Sequence, residues 1–585
     1  MCENSASAMA AAAKPPARAS PGGETLSPDE DASSSDRAAR RDGARGILGG
    51  GVRRFPTTAR GAPKPDAVPH ARGSAPAGPR DAASSPPSSS SPLATAARLA
   101  AAAASVAATT AAVAGVDLPI LTHISPEDEE GYVPFVVHGG GALTSELLAR
   151  CPTLSRPYKL PRWCTNAHAQ TLIGYARMLT LFLKYDRQLV RTEDGGQIGL
   201  DWLVRARFGR PAPAPGLVAG PRGRPRPADA DDGVDASSIP DASTLPPDAP
   251  VFIMLHGING GSHEGPTKWA IATGAARGWR CVALNLRGCN GVKLASPKVY
   301  CAASSSDVRA AVNACRALYP NAPVLLAGYS LGTYVLGTYL AEEDSKPGGS
   351  AENGVAGAVL VSCPLDPHSS HAGLSDPSRP SGLLYNGAIA AELRRYFYNH
   401  KTQVTEHPEV DEEALNIAEM RTIRDFEKAL IVVTHGFKDV EEYYDYFSPA
   451  RIIPSIRTPT LYLVARDDPF VGEREQCEHA IRQTKHVALA HVEKGGHVAF
   501  LERGVGVFGQ CWTDRVLGEF LASTLERRSE AAEAAAAEAG QPQLRVAREP
   551  AAKARIVART SLAEVPGEEE DDEEGGGKPT PRARL

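Results

Sequence analysis

Between residues 251 and 492 the chain alternates short apolar runs with helical stretches. The runs cover residues 251–255, 281–284, 324–327, 356–361, 460–464 and 487–492. An apolar run without polar alternation suits a strand buried on both faces, and such strands belong to parallel sheets covered by helices. The connecting stretches supply those helices. In residues 304–318, Val308, Ala311, Val312 and Cys315 fall at i, i+3, i+4 and i+7. The pattern predicts an α/β protein with a mostly parallel central sheet and helices on both faces. Before it, a strand over 185–191, the turn Asp194-Gly195-Gly196 and the alternating Ile198, Leu200 and Trp202 predict an antiparallel hairpin that opens the domain. The alternation stops near Cys363 and resumes at Thr460. Residues 366–454 are therefore expected to form an inserted helical lid, rich in aromatics such as Tyr396, Phe397, Phe426, Tyr443 and Phe447.

The run 324–327 leads directly into Gly328-Tyr329-Ser330-Leu331-Gly332, and a helical stretch follows over 333–343. Strand, G-x-S-x-G and helix is the layout of a nucleophile elbow. Side chains at the two flanking positions would collide with the neighbouring strand or helix, which is why glycines stand there. Ser330 is the candidate nucleophile. A chance occurrence of the pentapeptide in a loop would lack the strand before and the helix after.

A serine nucleophile needs a base, and the base needs an orienting acid. Arg466-Asp467-Asp468-Pro469 follows the strand at 460–464, and Gly495-Gly496-His497 follows the one at 487–492. Both positions lie at the carboxyl ends of strands, where open α/β sheets form their crevice. His497 is the candidate base. Asp468, just before the turn toward the next helix, is favoured as the acid, with Asp467 expected to hold the loop. His256 and His263 are expected to line the site without acting as the base. The tetrahedral oxyanion of acyl transfer needs two N–H donors. The N–H of Leu331 is one candidate. The other is the N–H of Ile258 in the loop His256-Gly257-Ile258-Asn259-Gly260-Gly261-Ser262. That loop is no phosphate cradle, since no G-K-[ST] follows it.

Composition bounds the ordered part. Residues 1–116 are dominated by Ala, Ser, Pro, Arg and Gly and cannot bury enough apolar surface to offset their ordering entropy. Residues 117–527 are expected to form one domain, with a disordered insertion at 205–249. Residues 528–585 read as an acidic, Ala/Glu-rich tail, a solvated helix followed by disorder. The net charge of −5 gives no electrostatic case for nucleic acid. The ten cysteines show no metal-finger spacing, which fits free thiols in an intracellular protein. The N-terminus lacks a secretory signal, and its acidic residues argue against an organelle transit peptide. The weakly apolar segment 96–116 is mostly alanine, which drives membrane insertion poorly, so a linker is the preferred reading over a membrane span. Cytoplasm, plastid and a membrane-associated location stay open.

These residues resemble the α/β-hydrolase superfamily, and within it the AB hydrolase-4 family of esterases and lipases. The narrower likeness rests on Trp163 with His168-Ala169-Gln170-Thr171, Asp201-Trp202, Asn285-Leu286-Arg287-Gly288-Cys289 with Tyr300 and Asp307, Ile423-Arg424-Asp425-Phe426, Glu442-Tyr443-Tyr444 and Asp467-Asp468-Pro469-Phe470. The resemblance implies a charge relay of Ser330, Asp468 and His497. It also implies hydrolysis of carboxylic esters, with acylglycerols, phospholipids or small acyl esters as substrates. No metal or organic cofactor is expected. A small-molecule or lipid ester is the expected partner, a membrane surface is a candidate one, and nucleic acid is not. The same triad would serve an acyltransferase, and a hydrolase scaffold can also serve as a non-catalytic lipid-binding protein. The long insertion at 205–249 departs from the family, as does the alanine-rich stretch where animal members carry a membrane helix.

Overall fold

A computed structural model describes residues 125–208, 242–413, 415–505 and 509–538. The segment 96–116 lies outside these residues, as does most of the proposed insertion, 209–241. The strands are β1 (Phe135–His138), β2 (Leu181–Arg191), β3 (Gln197–Phe208), β4 (Val251–Leu255), β5 (Arg280–Asn285), β6 (Val324–Tyr329), β7 (Val355–Val361), β8 (Thr460–Ala465) and β9 (Val487–Val492). They form one sheet in the order β1-β9-β8-β7-β6-β4-β5-β3-β2. The pairs from β5 through β4, β6, β7 and β8 to β9 are parallel. The outer pairs β3 with β5, β2 with β3, and β1 with β9 are antiparallel.

Every residue of β4 to β9 is buried, as continuous apolar runs require. Alternate residues go to opposite faces. Val251, Ile253 and Leu255 join one apolar cluster, and Phe252 and Met254 join the other. The covering helices include α1 (Ala167–Ala176), α2 (Gly265–Ala275), α3 (Ser306–Leu318), α4 (Leu331–Asp344), α5 (Pro367–Ser375), α6 (Gly387–Val404), α7 (Glu475–Arg482) and α8 (Trp512–Glu538). Helices α5 and α6 and the shorter turns up to residue 455 occupy the expected lid position between β7 and β8. Among the described residues, no helix is long and apolar enough to cross a membrane. Nine free cysteines, all buried, are seen among the same residues.

The structure differs from the sequence reading at the margins. The hairpin does not open the sheet, because β1 precedes it and pairs with β9 at the opposite edge. β3 runs on to Phe208, paired with Leu181 of β2, so residues 205–208 belong to the sheet and not to the insertion. Residues 242–249 are also structured. The guanidinium of Arg280 donates to the carbonyls of Ala242, Leu245 and Pro246 and ties them to the start of β5. The last helix, Trp512–Glu538, continues past the expected domain end at 527 into the tail.

One buried ion pair fastens that helix. Arg177, just after α1, donates from Nη2 to Oδ2 of Asp514 at 2.7 Å and to the Gly509 carbonyl at 2.9 Å. Both side chains are 1% exposed. Oδ2 of Asp514 also accepts from the Cys511 N–H, which stands just before the helix. Removing one member of such a pair leaves an uncompensated buried charge. Asp514→Ala is expected to lower stability by about 3–5 kcal/mol, read as a lower urea midpoint at an unchanged m-value.

Candidate active site

β6 delivers Ser330 into a backbone conformation that residues other than glycine rarely adopt, φ 51° and ψ −122°. Its neighbours explain the two glycines. A Cβ on Gly332 would lie 2.5 Å from the His256 carbonyl oxygen and 3.0 Å from that of Leu255. A Cβ on Gly328 would lie 2.8 Å from Leu336 of α4 and 2.9 Å from the Gly332 carbonyl. Strand and helix therefore meet at the turn with no room for a methyl group. The Ser330 N–H donates to Val361 of β7 at 3.1 Å, and its carbonyl accepts from the Thr333 N–H at 2.9 Å.

The structure brings the three sequence candidates together. His497 Nε2 lies 2.9 Å from Ser330 Oγ. His497 Nδ1 lies 2.9 Å from Asp468 Oδ2 and 3.1 Å from Oδ1. His497 is 7% exposed and Asp468 is 5% exposed, so the chain of contacts is shielded from water. A carboxylate at Nδ1 holds the proton on that nitrogen and leaves Nε2 free to accept one from the serine.

The loop carrying His497 is tied from three sides. Asp467 Oδ1 accepts from the N–H groups of Gly495 and Gly496, each at 2.9 Å. Thr171 Oγ1 on α1 accepts from the His497 N–H at 2.9 Å and donates to the Ala167 carbonyl at 2.8 Å. Ser362 Oγ, just after β7, accepts from the Val498 N–H at 2.9 Å. Gly496 has φ +62°, and a Cβ there would lie 2.6 Å from the Ala167 carbonyl. Thus α1 rests directly on the loop. Gln170, also on α1, accepts from the Leu501 N–H and donates to the Cys164 carbonyl. The motif His168-Ala169-Gln170-Thr171 carried a family likeness but no role in the sequence. In the structure its Gln170 and Thr171 hold the loop that carries His497.

The loop His256–Ser262 passes over Ser330. A Cβ on Gly257 would touch Ser330 Cβ at 3.4 Å. Among the described residues, neither the Ile258 N–H nor the Leu331 N–H has an acceptor. His256 braces the loop. Its Nε2 accepts from the Leu286 N–H at 3.2 Å, so Nδ1 carries the proton and donates to the Gly257 carbonyl at 2.6 Å. Burial holds the His256 pKa below its ordinary value, which keeps the ring neutral. His263 is exposed.

The lid aromatics pack mainly on one another. Tyr443, Phe447, Phe397 and Phe426 are nearly inaccessible, and Tyr334 of α4 meets Phe447 at 4.4 Å between ring centroids. A cavity of about 720 Å³ opens beside Asp468 between α5 and the acid loop. Its lining is mostly polar and includes His168, Ser369, Asp376, Arg379 and Asp467.

The matching family model is described as alpha/beta hydrolase fold and covers residues 250–504. Phospholipase ABHD3 of Mus musculus is 29% identical over 399 residues, 68% of this chain and 86% of that protein. A monoacylglycerol lipase of Saccharomyces cerevisiae is 29% identical over 61% of this chain and 78% of its own length. A medium-chain fatty acid ethyl ester synthase/esterase 2 of the same yeast is 26% identical over 63% of this chain and 86% of its own length.

The two adjacent aspartates make separable predictions. Burial raises Asp467 from 3.8 to about 6, with the nearby Asp468 carboxylate adding to the shift. The folded state then binds more protons than the unfolded state between those values. The ionised form therefore costs stability, and that cost grows as pH rises from 3.8 to about 6. Asp467→Asn keeps an oxygen for both glycine N–H groups and removes the charge. Melting curves are expected to show it stabilised more at pH 8 than at pH 4, with activity within about tenfold of the parent. Asp468→Asn would present an N–H to Nδ1 and favour the wrong tautomer, so kcat is expected to fall by about 10⁴-fold.

Proposed function

We propose that this chain, an α/β hydrolase similar to the AB hydrolase-4 family, is a serine hydrolase of lipid-type carboxylic esters, acting through an acyl-enzyme on Ser330. The observation that carries this reading is the unbroken contact from Ser330 Oγ through His497 to Asp468, with 2.9 Å at each step. The two relatives named as a phospholipase and a monoacylglycerol lipase support lipid esters as the substrate class.

In this mechanism His497 Nε2 takes the Ser330 proton as Oγ attacks the acyl carbonyl carbon. Asp468 accepts the Nδ1–H and stabilises the imidazolium. The N–H groups of Leu331 and Ile258 receive the negative charge that develops on the carbonyl oxygen, each contributing about 3–4 kcal/mol to the barrier reduction. The tetrahedral intermediate collapses, His497 returns its proton to the leaving alkoxide, and the alcohol departs. Water, deprotonated by the same imidazole, cleaves the acyl-enzyme and restores Ser330.

An alcohol in place of that water would give ester synthesis. One relative carries both activities in its name, which favours this as a second reading. Product analysis of one acyl donor in rising concentrations of a competing alcohol separates the two. Formation of a new ester at the expense of free acid would mark a transferase.

Ser330→Ala is expected to abolish labelling by a fluorophosphonate probe and to lower hydrolysis by at least about 10⁴-fold. Labelling that persists in this variant would overturn the assignment. A screen over p-nitrophenyl esters, monoacylglycerols and phospholipids then defines the acyl and head groups.

A further inference from the structure

A row of four rings runs from α1 to the base. His168 Nδ1 lies 2.9 Å from the Tyr385 hydroxyl, and their ring centroids are 5.7 Å apart. Tyr385 belongs to the wide helical turn Gly382–Asn386 that leads into α6 of the lid. Its ring is 5.1 Å from that of Phe470. Phe470 in turn lies 4.3 Å from His497, with the planes inclined by only 35°.

Phe470 is fixed by its backbone as well. Its N–H donates to Asp468 Oδ1 at 2.8 Å, and its carbonyl accepts from Ser370 Oγ on α5 at 2.6 Å. Acid, base and two parts of the lid thus hold one phenyl ring against the imidazole. An aromatic face within about 6 Å of a cation attracts it through the ring quadrupole. The imidazole becomes a cation only when it has taken the serine proton, so such an attraction acts on the charged intermediate and not on the resting site.

We infer that Phe470 is a positioning residue whose ring face stabilises the imidazolium form of His497, and that Tyr385 of the lid and His168 of α1 hold that ring in place. The inference rests on His497 being the base of the proposed reaction. Nothing in the Asp467-Asp468-Pro469-Phe470 motif by itself gives Phe470 this part. It follows from the ring geometry.

The test reads the pH dependence of kcat/KM for a p-nitrophenyl ester. The groups that share the surroundings of His497 are Asp467 and Asp468 on the acid loop, Ser330 at the elbow, Cys363 after β7, His168 on α1 and Tyr385 in the lid. Asp467 beside Asp468 is raised to about 6, so each variant is measured with Asp467 and with Asp467→Asn. Phe470→Leu keeps the bulk and removes the quadrupole. Its limiting kcat/KM is expected to fall about 2- to 30-fold, and the acidic limb to move to lower pH by the corresponding fraction of a unit to about 1.5 units. Phe470→Tyr is expected to restore both. A merely structural role would lower the rate and leave the limb where it is, and that result overturns the inference. Full-site fluorophosphonate labelling of Phe470→Leu checks that the variant is folded. If Ser330→Ala retains labelling, the proposed function itself fails. If it loses labelling while Phe470→Leu leaves the limb unmoved, only the role of Phe470 fails.

Discussion

The backbone at Ser330 is the constraint to which the rest of the site answers. A left-handed φ on a residue with a side chain costs about 1–3 kcal/mol and persists only where the surroundings over-determine it. Here they do. β6 arrives under hydrogen bonds to β7, α4 departs at once, and the His256 carbonyl lies so close to Gly332 that no side chain fits between. The same closeness places the loop after β4 over Ser330, since His256 also fixes the Gly257 carbonyl. One steric contact between β4 and the elbow therefore sets the geometry of the attacking oxygen and of the loop that faces it.

His497 is held by a different strategy. Its loop is not strained against one neighbour but tied to several. Asp467 accepts two N–H groups, and Thr171 and Ser362 accept one each. These are short polar side chains with little rotamer entropy to lose, and each satisfies a backbone donor in a buried turn. The arrangement fixes the imidazole without charging the loop, apart from Asp467, whose raised pKa records the cost of burying a second carboxylate beside the first.

The central sheet was legible because its strands are buried on both faces, and that condition writes itself as unbroken apolar runs. The elbow was legible because its two glycines and serine stand between an apolar run and a helical stretch. β1 was not legible. It is four residues long, lies at an edge and has only Val137 buried, so it carries no run and no clean alternation. The end of β3 was hidden for a related reason, since Arg205, Ala206 and Arg207 read as loop although they pair with β2. The supports of the base were hidden by distance. Thr171 is 326 residues from His497 in the chain, and nothing local to either residue marks the contact. The choice between the two aspartates could be argued from position, but only the geometry separates them. Asp468 faces the imidazole, and Asp467 faces the glycines.

The dependence of the His497 loop on α1 also has a consequence for synthesis. A growing chain makes α1 long before the loop, and Gly496 rests against the Ala167 carbonyl with no room for a side chain. The terminal helix adds a second condition, because Asp514 must arrive before Arg177 has its partner. Ser330, Asp468 and His497 can all have left the ribosome before Arg177 and Asp514 are paired. In this order of synthesis the contacts that hold the three side chains together are complete only when nearly the whole of the described domain has emerged.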